Sequence, residues 1–312
     1  MEIFYNLSEV NRDQNTVLTL GTFDGIHPGH QKIIEKVVDE AAHFNSRSLL
    51  ITFDPHPRTV VPNIDEIKLL STLQEKIEVV KSLGIQNLLV IKFTQEFSQI
   101  SSEEFVKQYI VDFIGVKKIV IGHDHHFGKG RGGDELTLKE MGKEFGFQVS
   151  AVDAVSQNGV VVSSTKIRNA LVSGDIKLAN SFLNRFYSFS GTVVKGDQRG
   201  RLLGFPTANI DLDDRNKLLP ALGIYAVEFI LDSKKYFGIM SIGKRPTFYN
   251  EGTITTEVYI LDFDEEIYGK YVTVNVVARI RGEEKFSSAD ELIKQMKMDT
   301  EEGRKILSKL VN

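Results

Sequence analysis

The sequence predicts two domains: an N-terminal α/β domain with a doubly wound parallel sheet, and a C-terminal, mostly antiparallel β-barrel followed by a terminal helix. Three observations carry that expectation. The first half alternates short apolar runs with amphipathic stretches, the pattern of a parallel sheet covered by helices. Near Phe186 the texture changes to strands separated by turns. The chain then closes on one long amphipathic stretch. With 312 residues, 41% of them hydrophobic, there is enough apolar mass for two cores.

In the first half, strands are expected over 17–23, 48–53, 87–93, 118–122 and 148–152. Helical periodicity fills 30–44, 72–83, 103–114 and 135–145, with Ser101 and Glu104 spaced as a capping box. A short helical segment over about 165–183 leads into strands at 188–194, 223–231, 235–242, 255–261 and 271–280. The terminal helix covers 288–310, with Leu292, Met296, Ile306 and Leu310 as its core-facing residues. The domains are drawn at 1–185 and 186–312. No internal repeat or low-complexity linker separates them, so a close junction is expected.

Composition removes several classes of function. The formal net charge of -4 argues against a broad nucleic-acid-binding face, while leaving room for a local basic pocket for phosphates. Without cysteine there is no disulfide, no thiolate nucleophile and no cysteine zinc site, which fits a reducing compartment. MEIFYNLSEV lacks a basic segment followed by an apolar core, and no run reaches the ~18 apolar residues of a membrane span, so a cytoplasmic location away from membranes is expected. Oligomeric state is not legible.

The segment Gly21-Thr-Phe-Asp-Gly-Ile-His-Pro-Gly-His30 follows the first strong strand and opens the first strong helix. A strand leading into a helix N-terminus brings unpaired backbone N–H groups and a positive dipole end to one place, suited to a phosphate chain. Gly21, Gly25 and Gly29 permit close approach and tight backbone geometry. His27 and His30 can then donate to phosphate oxygens as charge develops in a transition state.

The segment resembles the HxGH signature of nucleotidylyltransferases, which alone does not identify the acceptor. Three further stretches match, in order, the adenylylating module of the prokaryotic bifunctional FAD synthetases: Thr52-Phe-Asp-Pro-His-Pro57, Gly122-His-Asp-His-His-Phe-Gly128 and Ser163-Ser-Thr-Lys-Ile-Arg168. The resemblance implies a nucleotidylyltransferase-like domain with an ATP site around Gly21, Phe23, Asp24, His27, His30, Ser164, Thr165 and Arg168. It also implies a flavin cleft near Phe53, Pro55, Pro57, Asp124 and Phe127. For Arg168 the physical reading agrees, since a guanidinium beside a capped helix start can clamp phosphate oxygens. His123, His125 and His126 raise a metal alternative, but consecutive residues at a strand end diverge. The family pattern instead selects Asp124 and Phe127.

In the second half, the stretch Gly191-Thr-Val-Val-Lys-Gly-Asp-Gln-Arg-Gly-Arg-Leu-Leu-Gly-Phe-Pro-Thr-Ala-Asn209 resembles the riboflavin kinase signature. Its glycine-rich part, from Gly196 to Gly204 with Arg199 and Arg201, can fold over a nucleotide and present backbone donors. Thr207 and Asn209, two apart in an extended segment, offer neutral oxygens on one side for a magnesium ion shared with ATP phosphates. Downstream, Glu257 matches the family's catalytic glutamate, which would accept the proton of a ribityl hydroxyl, a poor nucleophile otherwise. Arg281 resembles a residue of the segment that closes over the flavin.

Taken together, the resemblance implies a bifunctional enzyme of riboflavin, FMN, FAD and ATP, with magnesium. In it Glu257, His27, His30 and Arg168 are catalytic; Gly196, Arg201, Thr207 and Asn209 hold the kinase nucleotide. Two other readings stand beside it: a kinase joined to a nucleotidylyltransferase for another phosphate acceptor, and a flavin-binding regulator without turnover.

Overall fold

The computed structural model describes residues 1–62, 67–196, 200, 203–244 and 254–310, which fall into two compact units, Met1–Ser163 and Ser164–Asn312. The first unit is built on six strands: β1 (Glu2–Phe4), β2 (Thr16–Leu20), β3 (Arg47–Asp54), β4 (Asn87–Lys92), β5 (Lys118–Gly122) and β6 (Gln148–Val152). They lie in the order β1-β4-β3-β2-β5-β6, every pair parallel.

Around this sheet run helices α1 (Pro28–His43), α2 (Pro57–Val60), α3 (Leu73–Ser82), α4 (Ser102–Glu104) and α5 (Glu135–Phe145). Ile34 and Val37 of α1 and Ile77 and Val80 of α3 pack on one face, against Val17, Leu50 and Leu88. On the other face Leu18, Leu49 and Leu89 meet Leu138 of α5 and Phe105 and Ile110 of a π-helix, Phe105–Ile114, that continues α4. Burial on both faces explains why these strands read as apolar runs instead of alternating ones. The doubly wound expectation therefore holds. Ser101 caps α4 by accepting from the Glu104 backbone N–H at 3.1 Å, while Thr72 and Glu75 make a reciprocal box at the start of α3.

Chain order fixes where a site can form. The sheet grows from β2 towards β3 on one side and β5 on the other, so the loop leaving β2 emerges at the crevice where the winding reverses. Periodicity did not disclose β1, which has three residues at the sheet edge, or the small hairpin of β7 (Ser156–Gln157) and β8 (Val160–Val161).

The second unit opens with α6 (Ser164–Ser173) and α7 (Ile176–Leu183), then forms a closed barrel from β9 (Tyr187–Val194), β10 (Thr207–Leu212), β11 (Gly223–Leu231), β12 (Lys234–Lys244), β13 (Ile254–Ile260) and β14 (Tyr271–Arg281). The order β10-β13-β12-β11-β14-β9 closes through β10 on β9, and every pairing is antiparallel. Phe189, Tyr225, Phe229, Met240, Val258 and Val274 are fully buried within this unit. Asn180 of α7 fastens its helix to the barrel, donating to the Val276 carbonyl at 2.9 Å and accepting from the Tyr187 N–H at 2.7 Å.

The terminal helix α8 (Ala289–Ser308) lays Leu307 onto Ala226, Ile239 and Leu261. Leu292, Met296 and Ile306 are half-buried, but Leu310 is 40% exposed and corrects the expected core face. The helix ends two residues earlier, and Leu307 takes the core position in its last turn. Arg281 at the end of β14 grips Asp299 of α8 through one edge of its guanidinium, Nε to Oδ1 at 2.9 Å and Nη2 to Oδ2 at 2.8 Å, with Gln295 also donating to the carboxylate. Asp299 is 4% exposed, so removing it strands a cation in a poorly solvated place. Asp299→Ala is expected to cost about 3 kcal/mol in urea denaturation followed by circular dichroism, the range for breaking a buried pair.

Candidate active sites

The loop from Gly21 to His27 is held in shape by three positive φ angles: 46° at Phe23, 83° at Gly25 and 35° at Ile26. Gly25 is required twice over, because a Cβ there would also sit 2.8 Å from Leu70 Cδ1. Asp24, expected at the ATP site, is 3% exposed and accepts from the backbone N–H groups of Leu70 and Ser71 at 3.1 and 3.0 Å. It thereby ties the loop to the approach to α3. Ser71 returns the contact by accepting from the Gly25 N–H at 3.0 Å.

His27 occupies the N-cap of α1, with Pro28 at the first helical position, where its missing N–H is no loss. His27 and His30 stack with ring centroids 3.8 Å apart, and Phe23 meets His30 edge-on at 5.2 Å. The structure thus brings together Gly21, Phe23, His27 and His30 at one helix N-terminus, where imidazole groups, backbone N–H groups and the helix dipole would together favour an anion.

Phe53, at the end of β3, belongs to an aromatic group that sequence reasoning did not select: its ring meets Phe93 at 5.7 Å and Phe97 at 6.0 Å. The spacing of Phe93 and Phe97 just past β4 was the available signal. Asp54 and Pro55 are joined by a cis peptide, and Pro57 starts α2, whose N-cap His56 accepts from the Arg58 N–H at 3.1 Å. Asp124 is exposed beside His123. Phe127 is 8% exposed, stacks on His125 at 5.7 Å and packs with Phe105 and Leu138. Among the described residues no group of three or more His, Cys, Asp or Glu side chains could hold a metal ion. Ser164, Thr165 and Arg168 open α6, in the second unit, with Ser164 and Arg168 one turn apart on the same helix face.

A buried cation was also missed. Lys76 of α3 is 6% exposed and donates to Thr52 Oγ1 at 3.1 Å.

The barrel site is a product of register. On β10, Ala208 and Ile210 are buried, so Thr207 and Asn209 face the other way; on β13, Thr256 and Val258 are buried and Glu257 lies opposite. Asn209 pairs directly with Glu257 across the ladder, and Thr207 Oγ1 donates to Glu257 Oε2 at 3.0 Å. Gly196 lies against this group: a Cβ there would fall 2.3 Å from Asn209 Nδ2 and 2.6 Å from Asn209 Oδ1. Phe205 closes one end, edge-on to Tyr259 at 5.2 Å. The Thr207 hydroxyl and Asn209 amide oxygen, beside the Glu257 carboxylate, are hard oxygen donors of the kind magnesium accepts when phosphates supply the remaining ligands. Arg199 and Arg201 lie outside the described residues. Arg281 is described, with its guanidinium on Asp299 and the Phe286 ring 5.7 Å away.

A parallel α/β sheet with a histidine-bearing anion site at its switch point, followed by a barrel with a carboxylate and two neutral oxygens on one face, defines a two-site nucleotide-dependent transferase. Family models for FAD synthetase and riboflavin kinase match residues 9–166 and 183–307. The chain is 38% identical to the bifunctional riboflavin kinase/FMN adenylyltransferase of Listeria monocytogenes, over 96% of this chain and 94% of that one. It is 36% identical to the protein of that name from Bacillus subtilis, over 95% and 93%. The Escherichia coli protein of that name is 35% identical over 95% and 93%. A crystal structure described as a macrolide-efflux protein from Streptococcus pneumoniae shares the fold, with a TM-score of 0.87 and 32% identity over 97% of this chain and 98% of that one. Among the described residues no helix is long and apolar enough to cross a membrane. The chain belongs to the bifunctional riboflavin kinase/FMN adenylyltransferase family, and it is an enzyme of flavin-cofactor biosynthesis.

Gly196→Ala is expected to push Asn209 out of the group it forms with Glu257. Misplacement on the 1 Å scale costs about 100-fold in rate, so riboflavin phosphorylation measured with magnesium and ATP should fall by up to that factor while FMN adenylylation stays at the wild-type rate.

Proposed function

We propose that the barrel transfers the γ-phosphate of one ATP to riboflavin, giving FMN and ADP. The α/β unit then joins FMN to the AMP part of a second ATP, giving FAD and pyrophosphate. The observation that supports this reading most directly is the grouping of Thr207, Asn209 and Glu257 on one face of the barrel, separate from the stacked His27 and His30 at the helix N-terminus.

In the kinase step Glu257 accepts the proton of the ribityl hydroxyl as its oxygen attacks, a task that requires a carboxylate within hydrogen-bond reach of the nucleophile. Thr207 and Asn209 would hold magnesium with the ATP phosphates; the ion would supply charge neutralisation at the transferring group. By the sequence resemblance Gly196 and Arg201 serve the nucleotide, and Arg281, whose guanidinium is held by Asp299, serves the flavin.

Adenylyl transfer makes different demands. The FMN phosphate is already nucleophilic at neutral pH, so alignment and charge stabilisation matter more than a base. His27 and His30 donate to the phosphates at the α1 N-terminus, Gly21 and Phe23 shape the loop, and Asp24 holds it. By the sequence resemblance, Ser164, Thr165 and Arg168 bind ATP, while Phe53, Pro55, Pro57, Asp124 and Phe127 border the flavin. The two functional domains are drawn at 1–185 and 186–312, working in the cytoplasm on small molecules and not on nucleic acid or membranes.

Paired variants separate the sites. Glu257→Gln should lower riboflavin phosphorylation by about 100-fold or more, within the span of general base catalysis, and leave FMN adenylylation intact. His30→Ala should do the reverse. Equal loss of both activities in either variant contradicts the assignment.

A further inference from the structure

We propose that Lys76 and Thr52 form a buried positioning relay that holds the phosphate-binding loop of the adenylylation site. The proposal rests on the reading that the first unit converts FMN to FAD.

Lys76 lies in α3, away from the β2–α1 loop in sequence, on a helix whose other buried residues are Ile77 and Val80. Lysine is almost never buried unless paired. Here its ammonium donates to Thr52 Oγ1 at 3.1 Å, and that hydroxyl donates onward to the Thr22 carbonyl at 3.3 Å. Thr52 is fully buried near the end of β3, and Thr22 is the second residue of the loop that carries Phe23, Gly25 and His27. The relay therefore starts on α3, passes through the strand beside β2 and ends on the loop's backbone.

The loop is gripped by a second route from the segment that leads into the same helix. Asp24 accepts from Leu70 and Ser71 just ahead of α3. Burial pushes the Lys76 ammonium down to about 8, and the carboxylates of Asp24 and Asp54 oppose that fall. At neutral pH the group stays mostly cationic. A fixed positive charge thus lies beneath a loop whose task is to receive phosphate, and it is anchored where the loop has left-handed backbone angles at Phe23, Gly25 and Ile26. Geometry of that kind does not hold itself: such angles persist only when surrounding contacts over-determine them. The role assigned to Lys76 is positioning, exerted through Thr52.

The test compares four full-length proteins: wild type, Lys76→Met, Thr52→Val and Thr52→Ser. Each is assayed for FMN-to-FAD conversion and for riboflavin phosphorylation, with a calorimetric unfolding midpoint. Methionine keeps the length of the side chain but leaves the carboxylates of Asp24 and Asp54 without this cation, so a lower unfolding midpoint is expected for Lys76→Met. Lys76→Met and Thr52→Val should lower kcat for FAD formation by about 10- to 100-fold, with KM for ATP changed much less. Thr52→Ser, which keeps the hydroxyl, should retain most of the rate, and all variants should phosphorylate riboflavin normally. Wild-type kcat in a folded Lys76→Met protein overturns the relay. Equal losses in Thr52→Val and Thr52→Ser also overturn it, because packing and not the hydroxyl would then be responsible; this pair decides even if Lys76→Met fails to fold. A wild-type protein that makes no FAD from FMN sinks the underlying reading of the first unit instead.

Discussion

Asn209 stands opposite Glu257 because β10 and β13 pair in one register, and the barrel's interior fixes that register. Ala208 and Val258 are directly paired and both buried. Sliding either strand by one residue would drive Thr207, Asn209 or Glu257 into the apolar interior and turn valine or isoleucine outward, a change the core opposes strongly. The chemistry of the barrel is thus held by hydrophobic packing on the face that does no chemistry. Closure of β10 onto β9 removes the free edges at which a slip would begin.

The α/β unit solves the same problem differently. A parallel sheet has no solvent-facing side on which to place a site, so polar groups collect where strands end. The end of β2 is the favoured place because neighbouring connections depart in opposite directions there. The loop must turn sharply to reach α1, and that requirement leads to Gly25 at a φ of 83° and to the buried Asp24. In the proposed assignment, two reactions with different needs are matched to two constructions: a carboxylate on a strand face for a weak nucleophile, and a set of donors at a helix N-terminus for a nucleophile already charged.

Much of this was legible in the amino-acid sequence. Strands buried on both faces announce themselves as apolar runs, and glycine and proline spacing marks the loop before α1. What was hidden depended on length or on tertiary partners. β1 is too short for any period to appear, and β10 reads as a continuation of a glycine-rich stretch until β9 and β13 pair with it. Leu310 fits the apolar stripe of α8, but lies past its last turn, where Leu307 has already met Ile239 and Leu261. Lys76 was invisible for a sharper reason: periodicity sorts lysine to solvent, and only the position of Thr52 gives this one a buried partner. Phe127 shows the converse, an aromatic chosen by motif that the fold uses in its core.

The central claim is that two different bonds of ATP are broken in two different places on one chain. Labelled ATP tests it directly. Incubating the protein with riboflavin, magnesium and γ-labelled ATP should place label in FMN, and in FAD formed from it. Starting from unlabelled FMN, α-labelled ATP should label FAD, whereas γ-labelled ATP should give labelled pyrophosphate and unlabelled FAD. Label from the γ-position entering FAD made from unlabelled FMN, or α-label failing to enter it, would contradict the account.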